Sequence, residues 1–226
     1  MGLFKKKMPI DADAIREITK LILREYPDSR ILQEGKIDMA VFPKQSIEID
    51  FSKFPNQPKF RLSKALERFV PDVQRLSPKL RDWDAQSPPN LLQIILAIER
   101  SLEMVAGVHV YIDEELMYNL LEIAQNEPAE VLFLLQMSEG LITDYLMAPG
   151  LAASEVSAVF YSSRVKSDAS IIGSIHSHPR GHPFPSQADL QTFRQKPINI
   201  IIGAGFSLLN TKAYNMKGEP IQYTLL

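Results

Sequence analysis

Gly173-Ser174-Ile175-His176-Ser177-His178-Pro179, followed after a short loop by Ser186-Gln187-Ala188-Asp189, is the stretch on which the reading of this chain turns. Histidines at i and i+2 of an extended strand lie on one face, because successive side chains alternate. Both imidazoles can then reach a single metal ion. Pro179 ends the strand, and the loop brings Asp189, eleven residues after His178, as a third ligand. Two histidines and one carboxylate leave the fourth position of a tetrahedral zinc for water, the layout of a hydrolytic site. Such an ion lowers the pKa of its water toward about 7 and polarises a scissile carbonyl.

Working outward, Ser186 is a good N-cap for a helix over 188–193. Strands are expected at 130–137, 141–147, 156–161, 170–176, 198–203, 206–213 and 221–225, all apolar runs. Upstream, a short strand over 108–112 leads into a helix capped by Asp113. Ile112 and Met117 form its hydrophobic staple, and Leu116, Leu120 and Ala124 its inner face. Strands outnumber helices in this half, which reads as α+β.

The first half is patterned differently. Ile15, Ile18 and Ile22 recur at helical spacing and stop at Tyr26-Pro27. Ile37, Met39 and Val41, then Ile47, Ile49 and Phe51, alternate with polar or small residues, as strands do. Phe60 and Leu62 suggest a third strand. A second helix, over 89–104, carries Leu91, Ile95, Ile98 and Leu102.

The chain has 226 residues, 45% apolar and 23% charged, enough for one large or two small domains. Residues 1–106 carry 18 basic and 15 acidic side chains, and residues 107–226 carry 7 and 12. The net charge therefore moves from +3 to -5 at Gly107, which supports two units, 1–106 and 107–226. A formal net charge of -2 argues against nucleic acid as a partner. The absence of cysteine excludes disulfides, thiolate zinc ligands and any thioester chemistry, and fits a cytoplasmic location. No apolar run approaches the roughly 18 residues of a membrane span, so no membrane partner is expected. The basic residues Lys5, Lys6 and Lys7 are not followed by the apolar stretch of a signal peptide.

His176-Ser-His178, ten intervening residues beginning with Pro179, and Asp189, with Ser186 three before it, closely resemble the JAMM (MPN+) metalloprotease motif. The resemblance covers residues 107–226. It implies Zn2+ as cofactor and, as substrate, a ubiquitin-like protein conjugate or precursor cut at an isopeptide or peptide bond. It implies Glu130 as the general base that takes a proton from the zinc water and passes it to the leaving amine. It implies Ser186 as a hydrogen-bond donor to the developing oxyanion. Family members carry glycine three residues after this glutamate and again at the strand end. Here Phe133 and Gln136-Met137 stand there, a departure expected to reshape the floor of the site. It leaves Glu139 and Glu155 open as alternative acids, Glu155 because it precedes the strand expected at 156–161. His182 reads as a surface loop residue and His109 as structural. Phe160, Tyr161, Phe184 and Phe206 read as core or cleft wall.

The first half resembles ubiquitin-conjugating-enzyme-like (RWD or UEV-type) domains in its order: helix, meander with Phe54-Pro55-Asn56-Gln57-Pro58, Leu80-Arg-Asp-Trp83, closing helix. Without cysteine it cannot form a thioester, so the resemblance implies a binding module. The expected fold is α+β in two domains, an N-terminal helix–meander–helix and a C-terminal MPN mixed sheet with few helices. Two other functions remain open on the residues alone: a non-catalytic MPN scaffold, and a small-molecule amidohydrolase with the same metal site. Association with a second copy or another chain also remains open.

Overall fold

The computed structural model describes residues 8–42, 45–70, 72–147 and 170–226. The strand expected at 156–161, with Glu155, Phe160 and Tyr161, lies outside the described residues. Two compact units divide the chain, Met1–Glu99 and Arg100–Leu226. The charge pattern put the division at Gly107; by contacts it falls inside a helix, seven residues earlier.

In the first unit α1 (Ala12–Glu25) starts where the Asp11 carboxylate accepts the Ala14 N–H at 2.9 Å. Its residues Ile15 and Ile22 are buried. An antiparallel meander follows, β1 (Arg30–Gln33), β2 (Lys36–Phe42), β3 (Gln45–Asp50) and β4 (Lys59–Leu62), in that order across the sheet. Alternate residues Ile37, Met39, Ile47 and Ile49 form the buried face, as period-2 patterning requires. The short helices α2 (Lys64–Glu67) and α3 (Pro78–Arg81) lead toward α4 (Leu91–Val105), the helix the division cuts. Trp83 is buried, donates its indole N–H to the Pro55 carbonyl at 2.8 Å and meets Phe54 edge-on.

The second unit contains β5 (His109–Ile112), α5 (Glu114–Asn126), β6 (Leu132–Ser138), β7 (Leu141–Met147), β8 (Ile171–Ser177), α6 (Gln187–Phe193), β9 (Ile198–Ile202), β10 (Thr211–Tyr214) and β11 (Pro220–Leu225). The strands close into a barrel in the order β10-β11-β5-β7-β6-β8-β9. Pairing is parallel at β8–β9, β11–β5 and β5–β7 and antiparallel elsewhere, so the sheet is mixed. Asp113 caps α5 by accepting the Leu116 N–H at 2.8 Å. The buried α5 residues Met117, Leu120 and Ala124 share one core with Val110, Phe133, Leu135, Ile175 and Ile200. The strand expected over 206–213 forms only from Thr211. Phe206 sits at a positive φ of 43°, and Leu208–Asn210 is a 3-10 turn, so the extended conformation cannot start earlier.

Register decides which side chains share the outer face of this sheet. His176 lies opposite Leu132 on β6 and Ile201 on β9, and Ile201 lies opposite Lys212 on β10. Directly paired residues point the same way, so these four define one outward rung. The next rung carries Leu134, Ser174, Asn199 and Tyr214.

Candidate metal centre

His176 is the penultimate residue of β8, and His178 follows the strand's end. Their Nε2 atoms approach to 3.2 Å, as the i, i+2 spacing predicts. Asp189 arrives from the first turn of α6. Its Oδ1 lies 3.1 Å from His176 Nε2 and its Oδ2 3.5 Å from His178 Nε2. All three side chains are mostly buried, with 11–16% exposure. Among the described residues, these three form a group whose ligand atoms all lie within 4.8 Å of one another. A tetrahedral zinc with N and O ligands at about 2.0–2.2 Å holds them roughly 3.3–3.6 Å apart. The donor set and its spacing fit such an ion.

Local chain chemistry explains this convergence. Ser186 and Asp189 form a capping box: the Ser186 N–H donates to Asp189 Oδ2 at 2.6 Å, and the Asp189 N–H donates to Ser186 Oγ at 3.2 Å. The Ser-x-x-Asp spacing thus starts a helix and aims a carboxylate in one step. On β8, Gly173 is imposed by the neighbouring strand, since a Cβ there would stand 2.4 Å from the Ile198 carbonyl oxygen. The loop from His178 to Ser186 is tied at several points. The His178 N–H donates to Ile202 O at 2.7 Å, and the Ala204 N–H to Gly181 O at 2.8 Å. His178 Nδ1 donates to the His182 carbonyl at 3.0 Å, which leaves Nε2 to face the cluster.

The electrostatics follow from the same contacts. The hydrogen bond to Asp189 raises the His178 pKa against the opposing effect of burial. The His182 carbonyl and the charges of Asp189 and Glu130 add to it. Burial pushes the Asp189 carboxyl up, but hydrogen bonds from His176, His178 and Ser186 outweigh it and hold the group well below the usual carboxylate range. Asp189 is therefore an anion, as a metal ligand must be.

Glu130 precedes β6 and is exposed. The Ser177 N–H donates to Val131 O at 3.0 Å, and the Val131 N–H to Ser177 Oγ at 3.1 Å. This pairing brings Glu130 beside the end of β8, close enough for its charge to act on His178. Glu139 is not brought there. It lies in the β6–β7 turn at a φ of 51°, at the opposite end of β6 and roughly 20 Å along the strand. Glu155 lies outside the described residues.

Two expectations change. Phe133 does not form the floor of the site. It pairs with Ile175 rather than His176 and is buried in the barrel core against Tyr145, on the opposite face of the sheet. Gln136 is likewise engaged elsewhere, donating to Ser170 Oγ at 3.2 Å. Of the remaining histidines, His182 contributes its carbonyl and keeps an exposed ring. His109 is structural, with Nε2 2.9 Å from Thr224 Oγ1. Phe184 is exposed, with the Lys212 ammonium 4.2 Å from its ring centroid.

Sequence reasoning passed over Phe193 and Tyr214. Phe193, fully buried on α6, lies 6.4 Å from the His176 ring and stacks on Tyr214. Only the β9–β10 register reveals this neighbourhood, because nothing local marks Tyr214 in Lys212-Ala-Tyr214.

Residues 89–217, more than half of the chain, match the model of the prokaryotic homologs of the JAB domain, and the chain belongs to that family. Over 106 residues it is 35% identical to a probable metalloprotease of Haloferax volcanii, covering 42% of this chain and 66% of that one. The chain thus spans just under two thirds of that relative's length. A solved JAB1/MPN domain protein from Archaeoglobus fulgidus is similar at 24% identity and a TM-score of 0.41, over 51% of this chain and 98% of that one. A structure described as JAMM, a metalloprotease-like zinc site in the proteasome and signalosome, is similar at 24% identity and a TM-score of 0.40, over 52% and 99%. A protein from Desulfitobacterium hafniense solved in solution is similar at 18% identity and a TM-score of 0.40, over 52% and 92%.

Proposed function

We propose that the chain is a zinc-dependent peptidase that cuts ubiquitin-like protein conjugates or precursors. The observation that carries this reading is the convergence of His176, His178 and Asp189 beside an exposed carboxylate, Glu130. His176 Nε2, His178 Nε2 and the Asp189 carboxylate would hold the metal. When bound, zinc supplies a Lewis acid that polarises the scissile carbonyl and acidifies a water. Glu130 accepts a proton from the attacking water and delivers it to the leaving amine. Its exposure suits this role, since a base at the mouth of the site can reach both water and leaving group. Ser186 Oγ accepts the Asp189 N–H and keeps its own proton to donate toward the developing oxyanion. The scaffold reading has less support, because a scaffold has no need of a complete ligand set.

The first unit is read as the module that holds the ubiquitin-like protein or its target. Its helix followed by an antiparallel meander supports that reading, and its lack of cysteine excludes transfer through a thioester.

The test is incubation of the zinc-loaded full chain with fusions of ubiquitin-like proteins to a reporter, linked through a lysine side chain or head-to-tail. Cleavage should need zinc, stop with a chelator and fail in Glu130→Gln. Turnover of small acylated amino acids with no cleavage of any fusion would instead support an amidohydrolase.

A further inference from the structure

We propose that Tyr214 is a positioning residue of the metal centre, fixing through Pro183 the His182 carbonyl that orients the His178 ring. The inference rests on the zinc reading above and extends it to a residue that touches none of the three ligands' coordinating atoms.

Tyr214 is 3% exposed and lies on the outward rung next to that of His176. Its hydroxyl donates to the Pro183 carbonyl at 2.6 Å. A buried phenol requires such a partner, but the choice of partner has a consequence. The carbonyl of His182, one peptide earlier, accepts the N–H of His178 Nδ1 at 3.0 Å. Two successive peptide planes are therefore each held by a side chain, one by Tyr214 and one by the ligand histidine. Between them stands Pro183, whose ring locks φ near -65° and leaves only ψ free. Fixing the Pro183 carbonyl therefore leaves a single torsion through which the His182 carbonyl can turn relative to it.

The surroundings leave Pro183 little room to respond. A Cβ added at Gly203 would meet Pro183 Cδ at 2.7 Å and its nitrogen at 2.8 Å, so the backbone after β9 packs directly on the proline. The Tyr214 ring also stacks on Phe193, with centroids 5.8 Å apart. Phe193 ends the helix whose first turn carries Asp189. One side chain thus braces both the loop that orients His178 and the helix that supplies the carboxylate.

Tyr214→Phe removes the hydroxyl and keeps the ring. Its zinc affinity, measured by competition with a chelating dye, should fall about tenfold, the lower end of the range for partners that orient a ligand histidine. The visible absorption bands of the cobalt(II)-substituted protein should shift. Pro183→Ala, which restores φ freedom between the two planes, should weaken zinc to a similar degree. Ile200→Val, on the interior face of the barrel, should lower the melting temperature and leave zinc affinity and the cobalt spectrum unchanged. Wild-type affinity and spectrum in folded Tyr214→Phe, or in folded Pro183→Ala, would overturn the inference while leaving the zinc reading intact. A wild-type chain that binds neither zinc nor cobalt would overturn both.

Discussion

At the residue scale, Asp189 and Glu130 are two carboxylates that both act on His178, in opposite circumstances. Asp189 is mostly buried, with its oxygens 3.1 and 3.5 Å from two imidazole nitrogens and a backbone N–H donating to it. Glu130 is exposed and keeps its oxygens for solvent or substrate. On the proposed mechanism, environment separates the ligand from the base. Glu130→Gln should retain wild-type metal content and lose turnover by about 10²–10⁴-fold, the usual weight of a general base. Normal rates in that variant would reassign the base. Ser186→Ala combines two losses. It removes the cap of α6, at about 1 kcal/mol of stability, and, on the proposed mechanism, the donor to the oxyanion, at roughly 2.7–4 kcal/mol of barrier at most. Melting curves and kcat, measured on the same preparation, separate the two.

At the element scale, β8 is constrained on both of its faces. The outer face carries Ser174 and His176; toward β9 there is no space for a side chain at Gly173. Gly173→Ala must push β9 away and should cost about 1–3 kcal/mol, as overpacking does, read from the shift of a urea midpoint. Much at this scale was legible in the sequence, because it depends on neighbours. Strand parity placed His176 and His178 together, Asp113 and Ser186 marked helix starts, and Ile37, Met39, Ile47 and Ile49 showed the meander's buried face. The four residues of β1 are all exposed, so no alternation betrays them. Phe206 takes a left-handed conformation that bulky residues avoid, so its apolar neighbourhood read as strand. The pairing of β11 with β5 joins Tyr223 to Val110, and no local pattern encodes so distant a register. Tyr214 and the inward orientation of Phe133 are consequences of register, and for that reason they had to be seen in three dimensions.

At the scale of the whole molecule, the barrel explains how so exposed a rim can hold a well-formed centre. The interior of β6, β8 and β9 is apolar and shared with α5, while the candidate ligands come from the outer face of β8, the loop beyond it and α6. Core packing and metal site therefore use opposite faces of the same strands and need not compromise one another. Among the described residues, no helix is long and apolar enough to cross a membrane. Because the ligands come from β8, the loop after it and α6, metal binding couples to the fold of the second unit. Free zinc at about 100 times its Kd should stabilise that unit by about 2.7 kcal/mol. Calorimetry with and without a chelator checks this, and coincident melting curves would count against it. The most direct test of the metal centre is elemental mass spectrometry on untagged protein, with His176→Ala and Asp189→Ala beside it. About one zinc per wild-type chain, and little in either variant, is the predicted result. A wild-type chain that holds no zinc even after zinc is added back would contradict it.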